Sequence, residues 1–193
     1  FDQKLSPRSL ARLISACRNF FQFLVIEGGR SDNPANKLDL PKHVNGLPKV
    51  LSEEQVTALI TAAYADTSPE GIRMAALMEI LYATGMRVSE LISLPYASFT
   101  KEVDVLLIRG KGNKERLVVF GEHALVFLNR YIHDSRPNFI HPHTGDALFL
   151  NQKGGRLSSR SIQRIMKYYV QVLGFSESFT PHALRHAFAT HIY

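Results

Sequence analysis

The segment from Pro69 to Thr84, PEGIRMAALMEILYAT, constrains the chain more than any other stretch, because it carries apolar or small side chains almost all the way round a helix. A helix of that kind has to be enclosed by its neighbours. Ser68 and Pro69 supply a cap and a first-turn residue whose missing N–H has no partner to lose there, and Thr84-Gly85 supplies the stop. The remaining elements must therefore pack around a buried central helix.

Those elements can be read from spacing. Ser52 to Gln55 form a capping-box pattern ahead of Val56, Leu59, Ile60 and Ala63, which predicts a helix before the central one. Directly after Gly85, Val88, Leu91 and Ile92 keep helical spacing, so a new helix starts at Arg87. Residues 103–108, VDVLLI, and 116–120, RLVVF, are rich in β-formers and separated by RGKGNKE, which predicts an antiparallel hairpin with Lys111 near its tip. Its G-K pair lacks the spacing and the following helix of a nucleotide-binding loop. Residues 147–150 are expected to add a third short strand. A helix then starts near Ser158, with Ile162, Ile165, Met166, Tyr169 and Leu173 inward and Arg160, Arg164, Lys167 and Gln171 outward. The fold class is mainly α with a small antiparallel β-sheet.

The first 35 residues are organised differently. Ser6-Pro7 opens a helix in which Leu10, Leu13, Ile14, Cys17, Phe21, Leu24 and Val25 recur at helical spacing until Gly28-Gly29. One amphipathic helix cannot bury its own stripe, so residues 1–35 are expected to be the end of a helical domain. Residues 33–49, NPANKLDLPKHVNGLPK, hold three prolines and little periodicity. We therefore place a linker at 36–49 and a second domain at 50–193.

The chain of 193 residues is 45% hydrophobic, with 23 Lys and Arg against 17 Asp and Glu, a net charge of +6 and a pI near 9.5. That balance favours a polyanionic partner, with nucleic acid first. Cys17 is the only cysteine, which excludes an intramolecular disulfide framework and a thiolate zinc site and suits a reducing cytoplasm. No apolar run reaches the length of a membrane span, and the expectation is a soluble cytoplasmic protein with no membrane partner.

Two helix starts carry the candidate chemistry. In TPHALRHAFATH, residues 180–191, Thr180 caps and Pro181 starts a helix that sets His182 and Arg185 on one face, at a terminus whose free N–H groups favour an anion. The same residues also describe an ordinary basic helix end with a solvated histidine. Arg87 stands at the other start, with Glu90 three residues on to orient its guanidinium; an ordinary surface ion pair has the same spacing. Arg8, Arg12 and Asn19 on the first helix, and Arg160, Arg164 and Lys167 on the later one, are candidate DNA contacts, and solvated faces look alike. His141 and His143 in a Pro-containing loop lack a third ligand nearby, and His182, His186 and His191 fit a shared metal poorly by spacing. Two arginines, a hairpin lysine and a histidine together make a kit for metal-free phosphoryl transfer that lacks only a nucleophile.

LYATGMRVSEL, GKGNKERL and TPHALRHAFATH resemble the signature boxes of the tyrosine recombinases, the phage integrase family, and especially of its Xer type. The resemblance covers nearly the whole chain, and it implies the end of a helical, SAM-like core-binding domain followed by a catalytic domain. It implies that Arg87 is the first catalytic arginine, Lys111 the hairpin lysine and His182 and Arg185 the H-x-x-R pair, with Glu90 supporting Arg87. In that family a tyrosine forms a 3′-phosphotyrosyl link to DNA and frees a 5′-hydroxyl, with no cofactor and no metal. The implied partners are a duplex bearing a specific recombination site, a homo- or heterotetramer of recombinase subunits and an FtsK-type DNA translocase. The implied role is chromosome dimer resolution in partition and cell division, with a phage or mobile-element integrase as the alternative. A non-cleaving DNA-binding module is a further reading, and a metal-dependent nuclease another. Tyr193 is too near Arg185 in sequence to be the nucleophile. The expectation is thus a chain truncated at both ends that holds DNA without cutting it. Target sequence, partner subunit and accessory proteins are beyond what these residues encode.

Overall fold

The computed structural model describes residues 5–41, 51–99, 105–109, 115–175 and 179–191. The chain divides into two compact units, Phe1–Lys49 and Val50–Tyr193. Lys111, Gly110, Gly112, Tyr193 and most of the expected linker lie outside the described residues.

In the first unit, helix α1 (Pro7–Ile26) starts where Ser6 accepts the Ser9 N–H at 3.1 Å. A 3-10 turn, Pro34–Lys37, folds back on it. Arg18 donates to the carbonyls of Ala35 and Leu38, and Asn33 donates to that of Arg18. The apolar stripe of α1 is only partly covered within this unit: Ile14 is buried, whereas Leu10 and Leu13 are exposed.

The second unit is built around α3 (Pro69–Thr84), every residue of which from Gly71 to Met78 is buried. Helix α2 (Glu53–Ala65), with both halves of its capping box formed, covers one side through Val56, Leu59, Ile60 and Ala63. Asp66 then fastens three elements: it accepts from the Ser68 N–H at the start of α3 and from the Tyr169 hydroxyl on α6 (Ser159–Val172). The short helix α4 (Val88–Ile92) follows the Gly85 turn. Strands β1 (Val105–Arg109) and β2 (Glu115–Val119) pair antiparallel, with Ile108 opposite Arg116. Helix α5 (Glu122–Arg130) runs into a π-turn, Tyr131–Ser135, and a 3-10 turn, Arg136–Phe139. Helix α7 (Pro181–His191) packs against α3.

One expected element takes another form. Among the described residues the sheet has two strands, and residues 147–150 make only single bridges, Pro95 to Ala147 and Leu150 to Arg156. The Leu148 N–H donates to the Leu94 carbonyl and the Leu157 N–H to that of Phe149, and side chains supply much of the rest. Arg136 donates to the Ala147 and Leu148 carbonyls, Arg73 to that of Leu150, and the Tyr131 hydroxyl donates to Leu148 and accepts from the Leu150 N–H. Backbone groups satisfied this way can be buried without a neighbouring strand. Burial pushes the Tyr131 phenol up to about 12, so it stays protonated in this role.

Candidate active site

Gly85 closes α3 in the left-handed region, at φ +57°, and its N–H caps the Leu81 carbonyl. A side chain there would also run into the ring of Phe188 on α7, so the turn and the last helix approach each other over a bare Cα. The Gly85 carbonyl accepts from Arg185 Nη1 at 2.6 Å. The turn that launches Arg87 thus also holds Arg185, a hundred residues on. Tyr82 and His191 add a 2.9 Å clasp between α3 and α7.

Arg87 occupies the N-cap of α4 with extended backbone. Its N–H donates to Glu90 Oε2 and its Nη1 to Glu90 Oε1, both at 2.8 Å. Arg116 on β2 reaches the same carboxylate, Nη1 to Oε1 at 3.2 Å and Nη2 to Oε2 at 2.8 Å. Glu90 is nearly enclosed, its side chain 7% exposed, while those of Arg87 and Arg116 are 46% and 37% exposed. Burial pushes the Glu90 carboxyl up, but the bonds from Arg116 and from the backbone and guanidinium of Arg87 outweigh it and leave it at about 2. At neutral pH it is ionised.

Thr180 caps α7 by accepting the Ala183 N–H at 3.2 Å, and the first turns present exposed His182 and half-buried Arg185. A concavity of about 410 Å³ opens between the starts of α4, α6 and α7. Arg87, His182 and Arg185 all line it, with Ser159, Gln163 and Thr180, and among the described residues no carboxylate does. Burial depresses the Arg185 guanidinium, and the nearby charges of Arg87 and Arg116 push it further in the same direction, against an opposing pull from Glu90. Cations held this close to one another favour an anion between them. Size alone does not mark the site: a concavity of about 690 Å³ over α2 has Glu53 and Glu54 in its wall and, among the described residues, no basic group.

The other candidates are dispersed. Arg160, Arg164 and Lys167 are exposed along α6, whose Ser159 and Gln163 enter the concavity. Arg8, Arg12 and Asn19 are exposed on α1 of the first unit. His141 and His143 bond to the carbonyls of Gln152 and Lys153 and brace their loop. His182 and His186 meet edge to face at 4.8 Å, while His191 is engaged by Tyr82. Among the described residues no group of three His, Cys, Asp or Glu side chains is placed to hold a metal ion, and no helix is long and apolar enough to cross a membrane. Arg116, Ser159 and Gln163 were not singled out by sequence. The register of β2 could have flagged Arg116 as inward-leaning, but not its partner.

Residues 49–193 match the model of the phage integrase family. The chain belongs to this family. It is 40% identical to the tyrosine recombinase XerD of Listeria monocytogenes over 188 residues, 97% of this chain, and 41% identical to that of Proteus mirabilis over 192 residues, 99% of this chain. It spans 63% and 61% of the lengths of those relatives. The similarity is to the Xer type. Of solved structures, the XerH site-specific recombinase bound to palindromic difH substrate, in a post-cleavage complex, superposes with a TM-score of 0.76 at 25% identity, covering 99% of this integrase-family chain and 55% of that one. The Tn1549 transposon integrase in complex with circular intermediate DNA gives 0.77 at 21% identity, covering 99% and 68%, a likeness of fold.

Proposed function

We propose that this chain forms the phosphate-gripping part of a site-specific DNA recombinase that acts in the cytoplasm as a tetramer on duplex DNA. The observation that carries the reading is the single concavity lined by Arg87, His182 and Arg185 and, among the described residues, by no carboxylate. In the reaction a tyrosine hydroxyl attacks the scissile phosphorus, a P–O bond to tyrosine forms and the bond to the 5′-oxygen breaks. Arg87 and Arg185 neutralise the non-bridging oxygens as charge builds on them. His182 shares a proton at the phosphate, and Lys111 delivers one to the departing 5′-oxygen. The freed 5′-hydroxyl of a partner duplex then reverses the step. Among the described residues no tyrosine lines the concavity, so the nucleophile comes from another segment. Similarity to XerD at about 40% identity supports chromosome dimer resolution over mobile-element integration. In this reading residues 1–35 end a core-binding unit, 36–49 are a linker and the catalytic unit runs from residue 50.

The test uses full-length recombinase containing this chain and a nicked duplex bearing its site, obtained by selecting bound duplexes from a random pool. Wild-type protein is expected to become covalently joined to the 3′ end. Arg87→Ala and Arg185→Ala are each expected to lower that capture at least about 100-fold, with site affinity held within several-fold. Normal phosphotyrosyl yield from either variant contradicts the assignment. No capture by wild-type protein that still binds the site supports a non-cleaving DNA-binding module instead.

A further inference from the structure

We propose that Arg116 is a positioning residue: from β2 it grips both oxygens of Glu90 and thereby fixes the guanidinium of Arg87 toward the phosphate site. The inference rests on the function proposed above for its consequence, and on the geometry alone for the positioning itself.

Glu90 and Arg87 by themselves form an i,i+3 pair on a five-residue helix. Pairs at that spacing are weak and leave a long side chain free to turn. Here the carboxylate is held from a second element. Arg116 engages it two-pronged, at 3.2 and 2.8 Å, while Arg87 Nη1 and the Arg87 N–H take one bond from each oxygen. A carboxylate has about four acceptor positions, and all four are used. Glu90 therefore has no freedom to rotate away and no capacity to draw in the rest of the Arg87 guanidinium, whose remaining N–H groups are left to bind an anion. The planar fork of arginine matches a carboxylate in a way an ammonium does not. Arg116 is itself anchored, because its backbone lies in the β1–β2 ladder opposite Ile108, which is 2% exposed. The rigidity of the hairpin is thus conveyed through one buried carboxylate to a residue at the helix start.

Two arms test this. In the first, the chain without DNA is labelled with ¹⁵N at arginine, and rotation of the Arg87 guanidinium is followed by NMR. Rotation is expected to be hindered in wild-type protein and fast in Arg116→Met and Arg116→Lys. Unchanged hindrance in both variants overturns the proposal. In the second, single-turnover covalent capture by the full-length recombinase is compared with site affinity. Arg116→Lys, which keeps the charge and guards against loss of folding, is expected to slow capture by about 10- to 100-fold with affinity within two-fold. Glu90→Gln is expected to slow it alike, and the Arg116→Lys/Glu90→Gln double variant no further than either alone. Capture by Arg116→Lys at the wild-type rate, or additive losses in the double variant, overturns the proposal by showing that only charge matters or that Arg116 acts apart from Glu90. Loss of hindered rotation in the first arm together with no wild-type capture in the second sinks the recombinase reading and leaves the positioning of Arg87 standing.

Discussion

At Gly85 two requirements coincide: a left-handed backbone and a close approach by the Phe188 ring. Gly85→Ala is expected to cost ~2 kcal/mol or more, from the φ penalty for a side chain and the shift forced on Phe188. Urea unfolding of the variant checks it, and an unchanged midpoint contradicts it. Glu90 gives a pH signature. Its carboxyl sits at about 2 in the folded chain against an ordinary 4.5, so its contribution to stability is complete above 4.5 and disappears as the pH falls toward 2. The difference in unfolding free energy between wild type and Glu90→Gln is expected to shrink across that window, by up to about 3 kcal/mol. A difference that stays constant from pH 5 to pH 2 contradicts the shared carboxylate. Sequence spacing alone located Arg87 with Glu90, and His182 with Arg185, because each pair lies within one helical turn. Arg116 was not legible, since its partner is 26 residues away and only folding brings them to 2.8 Å.

The helices were readable wherever a cap and a period agreed: Ser52, Ser68, Ser158 and Thr180 each accept the N–H that starts an element. Residues 122–139 yielded no reading, and there α-helix passes into π-turn and 3-10 turn within eighteen residues, so no single period persists. Residues 147–150 looked like a strand because they are wholly apolar, a pattern that also fits a buried segment whose carbonyls are taken by Tyr131, Arg136 and Arg73. Helix α6 separates cleanly into a buried face, Ile162, Met166, Tyr169 and Val170, and an exposed basic one. If the basic face follows a DNA backbone, replacing Arg160, Arg164 or Lys167 by Ala reduces the slope of log affinity against log salt by about 0.9 each. Fluorescence anisotropy at several salt concentrations measures it, and slopes identical to wild type remove α6 from the interface.

At the scale of the molecule, the second unit owns a continuous core, whereas the first unit shows an apolar helix face covered only in part by its own residues. The basic excess of +6 was visible in composition, but where it concentrates was not. The concavity draws on Arg87, His182 and Arg185, and the Gly85 turn that closes α3 holds Arg185 by its carbonyl two residues before Arg87, although among the described residues α3 itself contributes no lining side chain. The most direct check is a crystal structure of this chain with duplex DNA. Arg87 and Arg185 are expected to lie within about 3 Å of the non-bridging oxygens of one phosphodiester, with His182 beside it. Guanidinium groups bound to two different phosphates, or turned from the duplex altogether, would contradict a shared grip.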